Sequence, residues 1–244
     1  MISKIIKFSA DEKYLKNKDL YPIPCKLNIP EWFKKLEHTF DNMTVKGCMP
    51  FLDSLTTGYI LKIPTDLQIK HNIYVDDTRG TELNTLFNPY KNEVNLNIPN
   101  VPETHPTKQL GDKCPFVQKN KNLPFQKILN PWVIKTPPGY SCLFIPPMNN
   151  QDDRFSIIPA IVDTDMFTNE INFPIIINGD KYPILKSVIQ KGTPYVQVIP
   201  FKRDTWKYKV EKIKKIEYNS NKASYLMSVF QTYKNKFWNK KSWK

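Results

Sequence analysis

The chain has 244 residues, a formal net charge of +13 and an isoelectric point of about 9.4. It is long enough to bury a sizeable core, and no stretch of it approaches the roughly 20 apolar residues of a membrane-spanning helix. No Walker loop, G-x-G-x-x-G or G-x-S-x-G motif occurs, which argues against a nucleotide kinase, a Rossmann enzyme and an α/β-hydrolase.

The positive charge is concentrated at the C-terminal end. Residues 202–244 hold 13 basic and 3 acidic residues, a net charge of +10, whereas the first 201 residues carry only +3. Such a basic segment favours an acidic partner: nucleic acid, an anionic membrane surface or an acidic protein. A solvated, lysine-rich helix is the alternative explanation.

The spacing of cysteine and histidine indicates neither a metal site nor a redox motif. The four cysteines include no C-x-x-C pair, and without a signal peptide we expect reduced thiols. The histidines, His38, His71 and His105, stand far apart in polar contexts, so we expect each of them at the surface. Two aspartate pairs, at residues 152–153 and at 163 and 165, could gather a hard cation if their loops approach; solvated loop charges are the alternative.

Prolines divide the first part of the chain into short elements. We expect an N-terminal arm over residues 1–50, which opens with a strand at residues 4–9. A short helix is predicted at residues 30–36, because Pro30 suits the first helical position and Glu31 the first turn.

A β domain is predicted to follow over residues 51–205. Alternating Tyr59, Leu61 and Ile63 indicate a half-buried strand. The pattern weakens over residues 72–127, where we expect hairpins or an insertion, with strands at I-Y-V-D-D and E-V-N-L-N-I.

Short runs rich in valine, isoleucine, phenylalanine and tyrosine fill residues 132–203, each ending in proline, glycine, asparagine or aspartate. This is the sequence of a strand meander. We expect a tight turn at residues 135–140, a hairpin turn at residues 178–180 and a further turn at residues 191–194.

A basic tail helix is predicted for residues 206–244. Ser220 or Asn221 could cap a helix that runs to about Trp238. Its apolar residues fall three or four positions apart and would form one amphipathic stripe: Leu226, Val229, Phe230, Tyr233 and Phe237.

Several of these segments resemble the trimeric dUTPases and the related dCTP deaminases, which share a β-clip fold. The segment T-P-P-G-Y-S-C-L resembles the family's P-x-G-Y strand, A-I-V-D-T-D its nucleoside-pocket segment, and K-G-T-P-Y-V-Q-V-I its closing strand; T-G-Y at residues 57–59 resembles an earlier strand. The resemblance covers about residues 131–203 and implies a mainly β, β-clip fold.

The resemblance also implies a catalytic role for Asp163, which matches the carboxylate that helps to activate water for attack on a phosphate. That reaction would need Mg²⁺ and groups that hold a triphosphate. The sequence departs from the family where the phosphate-binding loop should follow: it reads P-P-M-N-N-Q-D-D-R-F, with no glycine and with two aspartates. The family's glycine-rich C-terminal arm also has no counterpart, so a turn or capping role for Asp163 is the alternative.

Most of the chain also resembles an uncharacterised family encoded by phages of aquatic bacteria and by other viruses. The matching segments are W-F-K-K-L, C-M-P-F-L-D-S-L-T-T-G-Y, I-N-P-W-V-I-K-T-P-P-G-Y-S-C-L-F, V-D-T-D with I-N-F-P, and G-T-P-Y-V-Q-V-I-P-F-K-R-D-T-W-K. This resemblance implies a viral origin, in phage, and a location in the host cytoplasm or the virion.

Three functions follow as hypotheses. The first is a non-catalytic structural or binding module that needs no cofactor, with a second copy of itself or a viral or host protein as partner. The second is a divergent nucleotide diphosphatase or deaminase that uses Asp163 and Mg²⁺. The third is a nucleic-acid binder whose basic and aromatic residues contact phosphates and bases: Lys202, Arg203, Trp206, Lys207, Lys214, Lys215, Trp238, Lys240 and Lys241.

Overall fold

The protein is mainly β, with antiparallel strands and short helices. A computed structural model describes residues 4–74, 82–85, 103–213, 215, 218–219, 222 and 231–244. In this part of the chain, no helix is long and apolar enough to cross a membrane. The chain divides into two compact units: unit 1 comprises Met1–Ile23 and Gly58–Lys202, and unit 2 comprises Pro24–Thr57 and Arg203–Lys244.

The strands of the described chain are β1 Lys7–Ser9, β2 Ile23–Pro24, β3 Tyr59–Lys62, β4 Leu67–Asn72, β5 Glu82–Thr85, β6 Glu103–His105, β7 Phe125–Ile128, β8 Val133–Lys135, β9 Tyr140–Ile145, β10 Phe155–Ile157, β11 Ala160–Val162, β12 Phe173–Ile177, β13 Ile184–Ile189 and β14 Pro194–Lys202. The α-helices are α1 Glu12–Leu15, α2 Glu31–Lys35, α3 Met49–Thr56, α4 Pro115–Lys119 and α5 Thr232–Lys236. Short 3-10 turns lie at Lys18–Leu20, Cys25–Leu27, Val45–Gly47 and Thr107–Gln109.

The largest sheet places β14 between β9 and β3, with β11 on the outer side of β9. A second sheet has the order β10-β12-β7-β6, a third has the order β13-β4-β5, and β1 pairs with β8. All of these pairings are antiparallel. Both side-chain faces of β14 are buried from Tyr195 to Val198, as expected for a central strand that is covered on both sides.

One hydrophobic core fills unit 1. It combines isoleucines from several sheets with the aromatic rings of Phe144, Phe173 and Tyr195. The Phe173 and Tyr195 rings meet edge to face, with centroids 5.8 Å apart, a geometry that aromatic pairs prefer. The β-branched residues of the predicted meander therefore form the interior, as their sequence pattern indicates.

Unit 2 has a smaller aromatic cluster. The Phe33 and Phe51 rings stack with centroids 5.7 Å apart, and Trp32 meets both of them edge to face. Helix α2 follows Pro30 as predicted. Helix α3 was not predicted, although Pro50 in its first turn and Gly58 just beyond its end are ordinary helix boundary signals.

Four expectations need correction or fall outside the described residues. The turn at residues 178–180 is present, but it joins β12 to β13, which belong to different sheets, so the two strands do not form a hairpin. Ile73 and Tyr74 lie in a turn and not in a strand. The E-V-N-L-N-I segment and most of the predicted tail helix lie outside the described residues. The described part does not show one continuous helix to Trp238, because Gln231 has a left-handed backbone conformation with φ of 59° and the short helix α5 begins after it and ends at Lys236.

The described strands of the 72–127 region belong to the main sheets. Strand β5 pairs with β4, β6 pairs with β7, and β7 also pairs with β12. The grouping of Pro24–Thr57 with Arg203–Lys244 also differs from the expected division at residues 50 and 205, because residues distant in sequence pack together in unit 2.

Candidate functional site

The V-D-T-D and P-P-G-Y-S segments are joined by a series of hydrogen bonds. The Ser141 hydroxyl donates to Asp163 Oδ1 at 2.6 Å, and the Gly139 N–H donates to Asp165 Oδ2 at 2.8 Å. Between them, the hydroxyls of Thr136 and Thr164 lie 2.8 Å apart in a buried position. These bonds continue the pairing of β11 with β9. The Asp163 carboxylate therefore holds two chain segments together in this structure.

The loop that follows β9 takes the place of the phosphate-binding loop expected from the dUTPase resemblance. Its first residues are held by Gln197 of β14, whose buried side-chain carbonyl accepts the Met148 N–H at 2.9 Å. Asn149 adopts a left-handed backbone conformation with φ of 58°, which asparagine tolerates better than most residues. The loop is thus fixed by the sheet behind it.

Arg154 fixes the far end of this loop. Its guanidinium binds Asp152 through two parallel hydrogen bonds, from Nε to Oδ1 at 2.9 Å and from Nη2 to Oδ2 at 2.7 Å. The Arg154 Nη1 also donates to the Ser187 hydroxyl and to the Val188 carbonyl of β13. The hydrogen bond from Arg154 lowers the pKa of Asp152, so this carboxylate stays ionised at neutral pH.

Asp153 is held from the opposite side of the loop. Lys181 Nζ donates to one of its oxygens at 2.5 Å, and the Tyr182 hydroxyl donates to the other at 2.6 Å. These two bonds lower the pKa of Asp153, the lysine bond being the larger cause. Both loop aspartates are therefore ionised and paired. Asp152 is partly buried, whereas the Asp153 side chain keeps 46% of its surface exposed, as expected for a solvated loop charge.

The loop lines a cavity of about 240 Å³ in unit 1, referred to below as the loop cavity. Its lining combines polar side chains with apolar residues such as Pro147 and Phe155. Its polar lining residues include Asn149, Asn150, Asp152, Asp153, Asn178 and Tyr195. The Tyr195 hydroxyl is buried and has no hydrogen-bond partner among the described residues.

The four aspartates named from the sequence do not form a cation site. Asp152 and Asp153 are bound by Arg154 and Lys181, whereas Asp163 is bound by Ser141 of β9 and Asp165 by Gly139 in the turn before that strand. Within the described ranges, no group of three or more histidine, cysteine, aspartate or glutamate side chains could hold a metal ion.

His71 is buried, and the expectation of a surface position for it was wrong. It lies on β4 with 2% of its surface exposed. Burial lowers its pKa to about 4, because the charged imidazolium loses its hydration. The alternation of Leu67, Ile69 and His71 along this strand places all three on the inward side, a signal that the sequence did contain.

The four cysteines are free in the structure, as expected. Burial raises the pKa of Cys25 to about 12 and that of Cys142 to about 11. Both buried thiols are therefore protonated at neutral pH and are poor nucleophiles.

The predicted basic and aromatic site residues fall into two groups. Residues 203–213 carry no helix or strand and are exposed; they are called the arm below. Trp206, Tyr208 and Val210 of the arm expose 87%, 94% and 89% of their surfaces. Lys202 ends β14 and is exposed with Arg203 and Lys207, Lys215 is exposed beyond the arm, and Lys214 lies outside the described residues.

The second group lies at the C-terminal end and contacts helix α3. The Asp53 carboxylate accepts the Trp238 Nε1–H at 3.1 Å and binds Lys241 Nζ at 2.6 Å. Lys240 is exposed. Trp238 and Lys241 are thus engaged within unit 2, a contact that no local sequence signal predicts.

Comparison with protein-family models finds no family that matches the chain, and comparison with curated proteins finds no significant match.

Proposed function

We propose that this chain is a viral protein, of phage origin, whose β domain acts without catalysis as a structural or binding module and assembles with further copies of itself. The viral origin rests on the sequence resemblance alone. The observation that carries the binding role is the arm, whose large apolar side chains lie almost fully in solvent.

A β-clip-like arrangement is part of this proposal. The segments that resemble the dUTPase-like family lie on neighbouring strands of one sheet: the V-D-T-D segment at β11, P-P-G-Y at β9, K-G-T-P-Y-V-Q-V-I at β14 and T-G-Y at β3. These segments are far apart in sequence and follow the same order as the family's motifs. Because they also lie on adjacent strands of one sheet, they support a related fold. A shared scaffold does not by itself carry the family's chemistry.

The arm alternates between apolar and charged residues. Trp206, Tyr208 and Val210 are the apolar positions, and Lys209 forms an ion pair with Glu211, two residues further on. Side chains two residues apart point to the same side in extended chain. An extended arm would therefore place the three apolar side chains together on the other side, and exposed apolar side chains of this size are typical of a surface that binds a partner.

An edge strand of the same chain is a suitable acceptor for the arm of another copy. Strand β13 pairs with β4 on one side and is the outermost described strand of its sheet. Its outward side chains include Ile184 and Val188, which expose 62% and 37% of their surfaces. An extended segment that adds to such an edge gains backbone hydrogen bonds and side-chain contacts together.

Two matched triple variants of the full chain test this proposal by light scattering and sedimentation. Trp206→Ser/Tyr208→Ser/Val210→Ser should shift the protein toward monomers with an unchanged melting temperature, because these side chains contact little within the chain. The charged control, Lys207→Ser/Lys209→Ser/Lys212→Ser, should keep the oligomer. A wild-type protein that remains monomeric at all concentrations would refute self-assembly through the arm.

Nucleic-acid binding by the arm is a second candidate function, since exposed Trp206 and Tyr208 alternate with lysines. Aromatic side chains between cations can stack on bases of a single strand. Here log K for a single-stranded oligonucleotide should fall by about 0.7 per phosphate contacted for each unit of log salt. The charged triple variant should reduce that slope, and binding that does not depend on salt would exclude this function.

A further inference from the structure

We propose that Arg154 limits which part of β13 can accept an added strand. Its guanidinium occupies the outward carbonyl of Val188, so that an incoming strand pairs at Ile184 and Lys186 alone. This inference deepens the assembly proposed above and rests on it for the identity of the incoming strand, which is the arm of another copy.

The hydrogen-bond pattern of β13 determines which of its backbone groups face outward. The Ile73 N–H donates to the Pro183 carbonyl at 3.0 Å, which continues the antiparallel register of β13 with β4 by one residue. In such a pair, residues that exchange hydrogen bonds alternate with residues that do not. The odd-numbered residues of β13 therefore bond to β4. The N–H and C=O groups of Ile184, Lys186 and Val188 point away from β4, toward the edge of the sheet.

One of these outward groups is already bound. Arg154 Nη1 donates to the Val188 carbonyl at 3.1 Å and also to the Ser187 hydroxyl. An added antiparallel strand pairs with both the N–H and the C=O of an edge residue, so it cannot pair at Val188 while the guanidinium is in place. In the described part of the chain, the outward groups of Ile184 and Lys186 have no such partner.

Arg154 is held firmly in this position. Its backbone carbonyl accepts the Asn178 N–H at 3.0 Å, and its guanidinium makes two parallel hydrogen bonds to Asp152. The Arg154 and Asp152 side chains expose only 26% and 20% of their surfaces. A bidentate, partly buried pair of this kind is stronger than a solvent-exposed ion pair. The guanidinium is therefore a fixed obstacle at the edge, and charged side chains are a common means of protecting edge strands.

The position of Arg154 also restricts the register of the added strand. Ile184 and Lys186 are two residues apart, about 7 Å along the strand, so only about three residues of an added segment can pair there. The Lys186 side chain is exposed, and like charges directly opposite each other in a sheet are unfavourable. Registers that place Trp206 or Tyr208 of the arm opposite Lys186 are therefore favoured over one that places Lys207 there.

Sedimentation of full-chain variants tests the role of Arg154. Arg154→Met/Asp152→Asn removes both charges of the pair and the hydrogen bond to Val188. Self-association should tighten by about tenfold, because pairing at Val188 adds two backbone hydrogen bonds to the interface. The matched control, Lys181→Met/Asp153→Asn, removes the other ion pair of the same loop and should associate as the wild type does.

Two proline substitutions identify the residues that pair. Proline is tolerated in an edge strand where the missing N–H would face outward. Lys186→Pro should abolish the association of the wild type, whereas Val188→Pro should leave it unchanged. In the Arg154→Met/Asp152→Asn background, Val188→Pro should return the association to the wild-type level, which distinguishes strand addition from aggregation of a less stable variant. Hydrogen exchange should agree: assembly of the wild type protects the Lys186 amide and not the Val188 amide.

The possible failures are distinguishable. The role of Arg154 is refuted if Arg154→Met/Asp152→Asn associates no more tightly than the wild type, or if Val188→Pro weakens wild-type assembly. Association that survives Lys186→Pro would also overturn it, because β13 would not be the acceptor; the serine variant of the arm tests the assembly itself. A wild type that stays monomeric would refute that assembly, while association of Arg154→Met/Asp152→Asn that Val188→Pro reverses would still support the role of Arg154.

Discussion

The hydroxyl of buried Ser141 donates a hydrogen bond of 2.6 Å to the carboxylate of Asp163. This bond gives the residue that matches a catalytic carboxylate a definite structural task. It joins the strand that follows the P-P-G-Y turn to the end of β11, and the neighbouring Thr164 and Asp165 make equivalent contacts.

Asp163 variants separate this structural role from catalysis. Asp163→Ala should lower the free energy of unfolding by about 1 kcal/mol, because a buried hydroxyl loses this acceptor, whereas Asp163→Asn retains an acceptor oxygen and should cost less. We expect the wild type to show no turnover of dUTP or dCTP with Mg²⁺. Turnover that disappears in Asp163→Asn would establish the enzymatic alternative, and chemical denaturation of the same samples gives the stabilities.

Gly58 should not tolerate even alanine. Its φ is +78°, and a β-carbon at this position would lie 2.1 Å from the Val198 carbonyl oxygen of β14. We expect Gly58→Ala to lower the free energy of unfolding by about 3 kcal/mol or more, since the left-handed backbone and the steric overlap both oppose it.

Gly192→Ala is the matched control for this prediction. Gly192 has a similar φ of +85°, but a β-carbon there would meet nothing within 4 Å. Its cost should therefore be limited to about 1–2 kcal/mol of backbone strain. Thermal and urea denaturation of both variants would show the difference. Equal losses in the free energy of unfolding would mean that the close contact between residue 58 and the Val198 carbonyl adds no cost.

Stability should fall on mild acidification because of His71. Its pKa in the folded protein is lowered to about 4 by burial, while in the unfolded chain it is near 6.5. Between these values the unfolded state binds more protons, so stability decreases as the pH falls from 6.5 to 4. Asp152 and Asp153 also have lowered pKa values in the folded protein. The stability that they contribute is lost at lower pH, as those carboxylates become protonated.

The variant His71→Leu isolates this effect. Its free energy of unfolding, followed by urea denaturation between pH 7 and pH 4, should decline less than that of the wild type, by about 1 kcal/mol or more. If the free energy of unfolding changed with pH in the same way for both proteins, the pKa of His71 would not differ between the folded and unfolded states.

Asp53 should anchor the C-terminal end of the chain. Asp53→Ala removes the acceptor for both Trp238 and Lys241, so hydrogen exchange of residues 232–244 should accelerate several-fold. We expect a stability loss of about 1–2 kcal/mol, because a partly buried, charge-assisted pair contributes more than a surface pair.

The exposed pair of Glu31 and Lys34 provides the comparison for Asp53. Glu31→Gln should leave stability nearly unchanged, because solvent screens such pairs. If Asp53→Ala leaves exchange at the C-terminal end unchanged, the contacts with α3 do not hold that segment.

Local sequence patterns predicted the helices, strands and turns of this fold better than they predicted which strands pair with one another. The mainly β class is confirmed, and helix α2, strand β3 and the turn at residues 135–140 follow from proline placement, alternation and the positive φ of Gly139. The turn at residues 178–180 was also recognised, but its strands diverge into different sheets. Turn chemistry is local, whereas sheet membership is decided by contacts with strands distant in sequence.

The candidate site shows the same limit. The P-P-M-N-N-Q-D-D-R-F segment was identified as a divergent loop, and its two aspartates were expected to be solvated loop charges or to help gather a cation. Arg154, the partner of Asp152, is two residues away in sequence, and Lys181, the partner of Asp153, lies in the turn after β12. The lining of the loop cavity also includes Tyr195 from β14 and Asn178 just after β12. No sequence period brings those residues together; only the packed sheets do.

The central position of β14 determines the order in which this protein can be completed during synthesis. Strands β3 and β9 leave the ribosome well before the segment that separates them in the finished sheet. Until Pro194–Lys202 emerges, each of them presents an unsatisfied backbone edge to other nascent chains. Slow translation upstream of residue 194 should therefore favour aggregation, and a chaperone that shields strand edges should raise the yield of soluble protein.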